Sequence, residues 1–275
     1  MRVPRSTEYG WLFLVPVAVF LGTIFVYPIL TFVLRGFFDP SPTLKHLIHL
    51  FNKPVYFKVC WITVKMSFNV TVICLILGYP IAYLLSSISE RNRNLLMILV
   101  IIPLWTSILV RNYAWMVLLG RRGVFNTILT GLGFIDAPIR MLYNTFSVHI
   151  GMVHMMMPFM ILALLGVMRG IDRSLLKVAE SLGANRFQAF VRIFAPLSLP
   201  GVGAGSLLVF IFSLGFFITP ALLGGRGSTM ISMLIEQQVS LLNWGFASVL
   251  SLLLLLVTIL LFLLYSRFFS LERIW

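Results

Sequence analysis

The sequence predicts an all-α polytopic membrane protein that crosses the bilayer six times. Three observations carry that prediction. Hydrophobic residues fill 60% of the 275 positions and charged residues only 11%, against roughly 25% charge in an ordinary soluble domain. So little charge cannot cover a water-facing surface. Six apolar segments approach or exceed the about 20 residues that a ~30 Å hydrocarbon core requires of a helix. No segment alternates with the period of two expected of a transmembrane β-barrel strand. The lipid bilayer is therefore the solvent. The net charge of +13 does not point to nucleic acid, because the basic residues are scattered among short loops and form no stripe.

Taken in order, the spans fall at Trp11–Leu34, Cys60–Ser86, Leu95–Leu119, Ser147–Met168, Leu197–Leu223 and Trp244–Phe269. The first follows a basic start (Arg2, Arg5) with no small-residue cleavage site, which reads as an uncleaved signal-anchor. Asp39-Pro40-Ser41-Pro42 is turn chemistry, and "HLIHLFNKPVYFKV" reads as a short interfacial helix before the second span. Cys60 and Cys74 share that span about four turns apart, too far to pair within one helix, and serve as filler. No metal-ligating pattern is present. Met230–Leu242 is too short and polar to cross and reads as a surface or re-entrant helix.

Orientation follows from Lys and Arg near the span ends. Arg2, Arg5, Arg91, Arg93, Arg169, Arg173, Lys177, Arg186, Arg192, Arg267 and Arg273 lie on one side. Eight basic residues, from Arg35 to Arg226, are spread over longer loops on the other. The bias places both termini and the 169–196 loop in the cytoplasm.

That loop contains two candidate short helices. Asp172 can cap the first, with Leu175, Leu176, Ala179 and Leu182 on one face, and Gly183 stops it. Asn185 can cap the second, with Phe187, Phe190, Val191 and Phe194 on its apolar side. Pro196 ends it, and Pro200 suits the first turn of the next span. Pattern alone is compatible with amphipathic helices lying on the membrane or with a docking knob for a cytoplasmic partner.

In "IPLWTSILVRNYAWMVLLG", helical spacing puts Trp105, Ile108, Asn112 and Trp115 on one face, with Thr106 and Tyr113 beside it. Arg111 is a charge inside a span. It either snorkels among belt aromatics or faces a cavity or partner. Glu236, in the short outer segment, is either a solvated loop acid or the acid nearest a cation path. His149 and His154 read as packing residues. The chain has no Gly-Lys dipeptide and hence no phosphate-binding P-loop. Gly201 and Gly205 read as a small-xxx-small pair for close helix packing. No nucleophile elbow or metalloprotease motif is present, so no enzymatic activity is expected. Neither an acidic relay nor a convincing repeat favours a secondary transporter.

"SLGANRFQAFVRIFAPLSLPG" resembles the EAA loop of permease subunits in ATP-binding-cassette importers: Gly183 at the glycine, Ile193 ten residues on, then Pro196 and Pro200. Lys177-Val178-Ala179 stands at the Glu-Ala-Ala triplet, so the family's glutamate is replaced by lysine. With "YPIAYLL", the third-span motif and "IDAPIRMLYNTFSVHIGMVHMMMPFMILAL", the chain resembles spermidine/putrescine permeases from about Tyr56 onward. The resemblance implies a type I importer permease fold in a bacterial inner membrane and a coupling helix comprising Lys177, Ala179, Glu180, Gly183, Ala184, Arg186, Phe190, Ile193 and Pro196. It also implies three protein partners: an ATPase dimer that uses the ATP and Mg, a second and different permease subunit, and an extracytoplasmic solute-binding protein. Trp105, Thr106, Arg111, Asn112, Tyr113, Trp115 and Glu236 are the candidate substrate path. The cargo implied is a polyamine; relatives of this appearance also move aminophosphonates, opines or ferric iron.

Overall fold

The computed structural model describes residues 10–38 and 41–268, with side chains from Val15 to Arg267. Arg2, Arg5, the Asp39-Pro40 turn, Phe269 and Arg273 lie outside the described residues. Among the described residues the regular secondary structure is helical, apart from one isolated bridge between Phe38 and Pro42. The helices are α1 (Gly10–Leu21, continuing through Gly22–Val26 to Tyr27–Leu34), α2 (Lys45–Asn52), α3 (Val55–Ser87), α4 (Glu90–Trp105), α5 (Ile108–Leu119), α6 (Val124–Gly131), α7 (Thr145–Met168), α8 (Ser174–Ser181), α9 (Arg186–Leu214), α10 (Ile218–Leu223), α11 (Ile231–Ser240) and α12 (Trp244–Phe268).

Among the described residues five helices are long and apolar enough to cross a membrane: Val15–Leu34, Val55–Ser87, Thr145–Met168, Arg186–Leu214 and Trp244–Arg267. A sixth crossing exists only if α4 and the α5–α6 pair count as one span bent by 97°. The predicted single helix Leu95–Leu119 is thus corrected to a broken one. Thr106 and Ser107 have extended backbones, so the i→i−4 ladder stops between them. The predicted fifth span, Leu197–Leu223, is also corrected. Its helix begins at Arg186 and stops at Leu214, and α10 is a separate short helix.

Neither Pro196 nor Pro200 ends a helix. Phe190–Phe194 is one wide π turn, closed by the Ala195 amide donating to the Phe190 carbonyl. The wider turn accommodates a proline whose ring would otherwise meet the carbonyl four residues back. The same device recurs in α1, where the Tyr27 amide donates to the Gly22 carbonyl just before Pro28.

The chain divides into two compact units: residues 1–56 with 234–255, and residues 57–233 with 256–275. In the first, Leu50, Phe246, Val249 and Leu250 form a small core. Tyr56 and His49 pack edge-on to Phe246, and Arg35 lies over the Trp244 ring.

The second unit holds the main core, in which α3, α7 and α9 bury Val70, Cys74, Met152, Met160, Leu164, Phe194 and Val209. Cys60 and Cys74 are both free thiols. The expected Gly201/Gly205 pair faces α7. A methyl at Gly201 would meet Val167 at 3.0 Å, and one at Gly205 would meet Met160 at 2.9 Å. Small residues let these two backbones approach where lipid supplies no hydrophobic driving force between helices.

Candidate functional site

The segment between α7 and α9 is built from local hydrogen bonds. The Asp172 carboxylate accepts the Ser174 hydroxyl at 2.6 Å and the Ser174 amide at 2.9 Å. These two bonds, the hydroxyl's first, hold its pKa below the ordinary carboxylate value. At the other end of α8, Gly183 has φ +93°. Its amide donates to the Glu180 carbonyl and that of Ala184 to the Ala179 carbonyl, each at 3.0 Å, which is a complete Schellman stop. A side chain at Gly183 would meet nothing within 4 Å, so the backbone conformation, not crowding, demands glycine there.

Asn185 then starts α9 with a reciprocal capping box. Its side chain accepts the Gln188 amide at 2.8 Å, and the Gln188 side chain accepts the Asn185 amide at 3.1 Å. The two expected apolar faces divide differently from the pattern. Leu176, Ala179, Phe190 and Ile193 turn inward to varying degrees and Phe194 is fully buried, whereas Leu182 is 84% and Phe187 73% exposed. These two side chains flank Gly183 and form an apolar tip. Lys177, Glu180, Arg186 and Pro196 are also exposed, and Ala184 is half-buried.

The inward side of this segment rests on α3. Tyr83 meets Phe194 edge-to-face at 4.9 Å and Phe190 at 5.3 Å. The Tyr79 hydroxyl lies 2.7 Å from the Ser198 hydroxyl. The Arg173 guanidinium donates to Ser86 at 2.9 Å and Ser87 at 2.7 Å. The sequence reading missed this anchorage and counted Arg173 only for orientation. The tyrosines at i and i+4 in "YPIAYLL" were its available signal.

The polar residues of the bent span separate. Trp105 ends α4 and is 87% exposed. Thr106 is exposed beyond it, and its hydroxyl donates to the Pro103 carbonyl. The expected face joining Trp105 to Asn112 and Trp115 therefore does not exist. Arg111, Asn112 and Trp115 do fall together on α5, against α7, while Tyr113 is exposed. Trp115 Nε1 donates to His154 Nδ1 at 3.0 Å. His149 Nδ1 lies 2.7 Å from the Thr145 carbonyl and so carries the proton, since a carbonyl only accepts.

Trp115, His149 and His154 line an otherwise apolar cleft of about 520 Å³. Nε and Nη1 of Arg111, Oδ1 of Asn112 and Nε2 of His149 are buried without a hydrogen-bond partner. Glu236 is exposed in the other unit, where it accepts the Ser240 hydroxyl at 2.8 Å. Lys65, a further basic residue within a predicted span, is exposed on α3. That helix has 33 residues, or ~50 Å, well beyond the hydrocarbon thickness. Among the described residues no group of three or more His, Cys, Asp or Glu could hold a metal.

These features define a multi-span helical membrane protein with a structured loop between two spans and a cleft lined in part by Trp115, His149 and His154. Residues 74–270 match the family model for the binding-protein-dependent transport system inner membrane component, and the chain belongs to that family. It is 41% identical over 226 residues to the spermidine/putrescine transport system permease protein PotB of Haemophilus influenzae, covering 82% of this chain and 79% of the relative. It is 36% identical over 265 residues to PotB of Escherichia coli, covering 95% and 94%. Among solved structures, a bacterial alginate ABC transporter in complex with its alginate pentasaccharide-bound periplasmic protein superposes with a TM-score of 0.76 at 17% identity, covering 96% and 94%. That likeness shows the fold, the type I importer permease. The chain is a multi-pass inner-membrane permease component.

Proposed function

We propose that the chain is one of two unlike permease subunits of a polyamine importer, with both termini and the 169–196 segment in the cytoplasm. A solute-binding protein delivers spermidine or putrescine at the outer face. Two ATPase copies, which use the ATP and Mg, engage the Leu182–Phe187 tip and drive alternating access. The chain conducts solute and performs no covalent chemistry. The observation that carries this reading is the 36–41% identity to polyamine permeases over most of the chain. The Gly183 stop supports the coupling role, because it presents a short capped helix and an apolar key. The aromatic face of Trp115 in the cleft suits a cationic cargo.

The test is uptake of labelled spermidine by vesicles holding the full complex, with ligand binding by its binding protein measured in parallel. Wild type transports spermidine, and Gly183→Asp abolishes uptake. Uptake and ATPase binding unchanged in Gly183→Asp would sink the coupling role. One observation favours a second cargo: the unpaired Arg111 guanidinium repels a polyvalent cation and attracts an anionic or zwitterionic solute such as an aminophosphonate. A binding protein selective for that solute over spermidine would replace the polyamine reading.

A further inference from the structure

The tip formed by Leu182 and Phe187 is covalently continuous with α9, so any push on it reaches that span directly. Its connection to α3 is made by side chains alone, of two kinds. The aromatic contacts of Tyr79 and Tyr83 with Phe190 and Phe194 are apolar surfaces that can slide over one another. The Arg173 tie is directional. Its Nη2 spends one N–H on the Ser86 hydroxyl and the other on the Ser87 hydroxyl, at 2.9 and 2.7 Å.

Both hydroxyls are already oriented. Each donates its own proton to the Tyr83 carbonyl, Ser86 at 2.8 Å and Ser87 at 2.6 Å, which leaves oxygen lone pairs for the guanidinium. The guanidinium carbon also stands 5.7 Å from the centroid of the Tyr83 ring. A planar, permanently charged fork can hold two acceptors and an aromatic face at once, which an ammonium point charge does poorly. Tyr79, Tyr83 and Ser86 recur at i, i+4 and i+7, so all the attachments fall on one face of the last turns of α3.

We propose that Arg173 is a positioning residue that makes α3 follow the loop. Displacement of the 182–187 tip is thereby delivered to two spans, α9 through the chain and α3 through Arg173, and the pair moves as one body. This inference rests on the coupling reading above. Without the tie, a push on the tip moves α9 while the aromatic contacts slip, and hydrolysis proceeds without the matching movement of α3.

The experiment is the complete complex in liposomes, reading solute transported per ATP hydrolysed, with ATPase co-purification as a second readout. Arg173→Ala and the double variant Ser86→Ala/Ser87→Ala remove opposite halves of the tie. Each is expected to lower solute per ATP by about tenfold, the scale of losing charge-assisted hydrogen bonds, while the ATPase still co-purifies. Arg173→Lys recovers part of the loss.

A purely architectural role is separated by rescue. In a background lacking Cys60 and Cys74, Arg173→Cys with Ser87→Cys, joined by a short thiol-reactive bis-maleimide, restores the ratio and remains uncoupled when unlinked. An unchanged ratio in both Arg173→Ala and the serine double variant overturns the inference. So does loss of the ATPase from Arg173→Ala while the serine double variant transports normally, since Arg173 then belongs to the docking face. Normal transport by Gly183→Asp removes the coupling reading itself. Failure of Gly183→Asp with an intact ratio in the tie variants removes only the inference.

Discussion

The loop end of the second unit and the α5–α7 contact differ in how far each satisfies itself. At the loop end, Asp172, Arg173, Ser86, Ser87, Asn185, Gln188 and Ser198 all have partners within the chain. Along α5 and α7, Arg111, Asn112 and His149 keep buried polar atoms with none. A buried unpaired donor or acceptor costs more than a satisfied pair gains, so the polar groups of the two regions carry different energetic costs. The loop end is finished as a single-chain part. Among the described residues the α5–α7 contact leaves hydrogen-bonding capacity open. Intramembrane charge normally marks such a place.

The comparison breaks most visibly at Phe194. This ring is fully buried and meets Tyr83 and Phe190. Phe194→Ala leaves a cavity that the anchored helices cannot close, and is expected to cost roughly 3 kcal/mol. Thermal unfolding of the purified chain in detergent measures it. A loss of less than about 1 kcal/mol would mean that α3 and α9 close up freely and that the loop end is not the rigid part described. The effect at Asn185 is smaller and local. Asn185→Ala removes the side-chain acceptor of the Gln188 amide and keeps the backbone half of the box, and should cost about 1 kcal/mol, read as faster amide exchange over residues 186–189 with little change in global unfolding. Protection unchanged there would mean that the aromatic anchorage alone holds the helix start.

These two regions also divide what was legible beforehand. Gly183 and Asn185 were readable because a positive-φ stop and a reciprocal cap are decided within four residues. The start of α9 was misjudged because Pro196 was given its usual meaning. The π turn at Phe190–Phe194 absorbs that proline, and nothing in the local composition announces it. The break at Thr106-Ser107 escaped for another reason. Both halves of the segment are apolar, so a hydropathy window sees one span where the chain makes a 97° bend. The small polar pair after Pro103 was the only hint. Trp105 was therefore placed on a face with Asn112 that a straight helix would have and this one lacks. The attachment of Arg173 to Ser86 and Ser87 joins residues 86 and 87 positions apart, and no single-sequence pattern reports a pairing at that distance.

The smallest expected stability effect tests the comparison from its other side. Asn112 is fully buried. Its amide nitrogen donates back to the Ile108 carbonyl at 2.9 Å, while its oxygen has no partner. In a finished core, replacing such a residue by leucine would forfeit a satisfied polar group. Here the substitution removes an unsatisfied acceptor and returns the Ile108 carbonyl to ordinary helix geometry. Asn112→Leu should therefore leave the stability of the isolated chain unchanged or raise it by up to about 1 kcal/mol. Transport by the complete complex should fall at the same time, because a polar group retained at a cost to stability is retained for function. Unfolding of the isolated chain and uptake by the complex must be measured on the same preparation. If Asn112→Leu destabilises the chain and transports normally, Asn112 is satisfied within the subunit. The α5–α7 contact is then as self-sufficient as the loop end, and the difference between the two regions disappears.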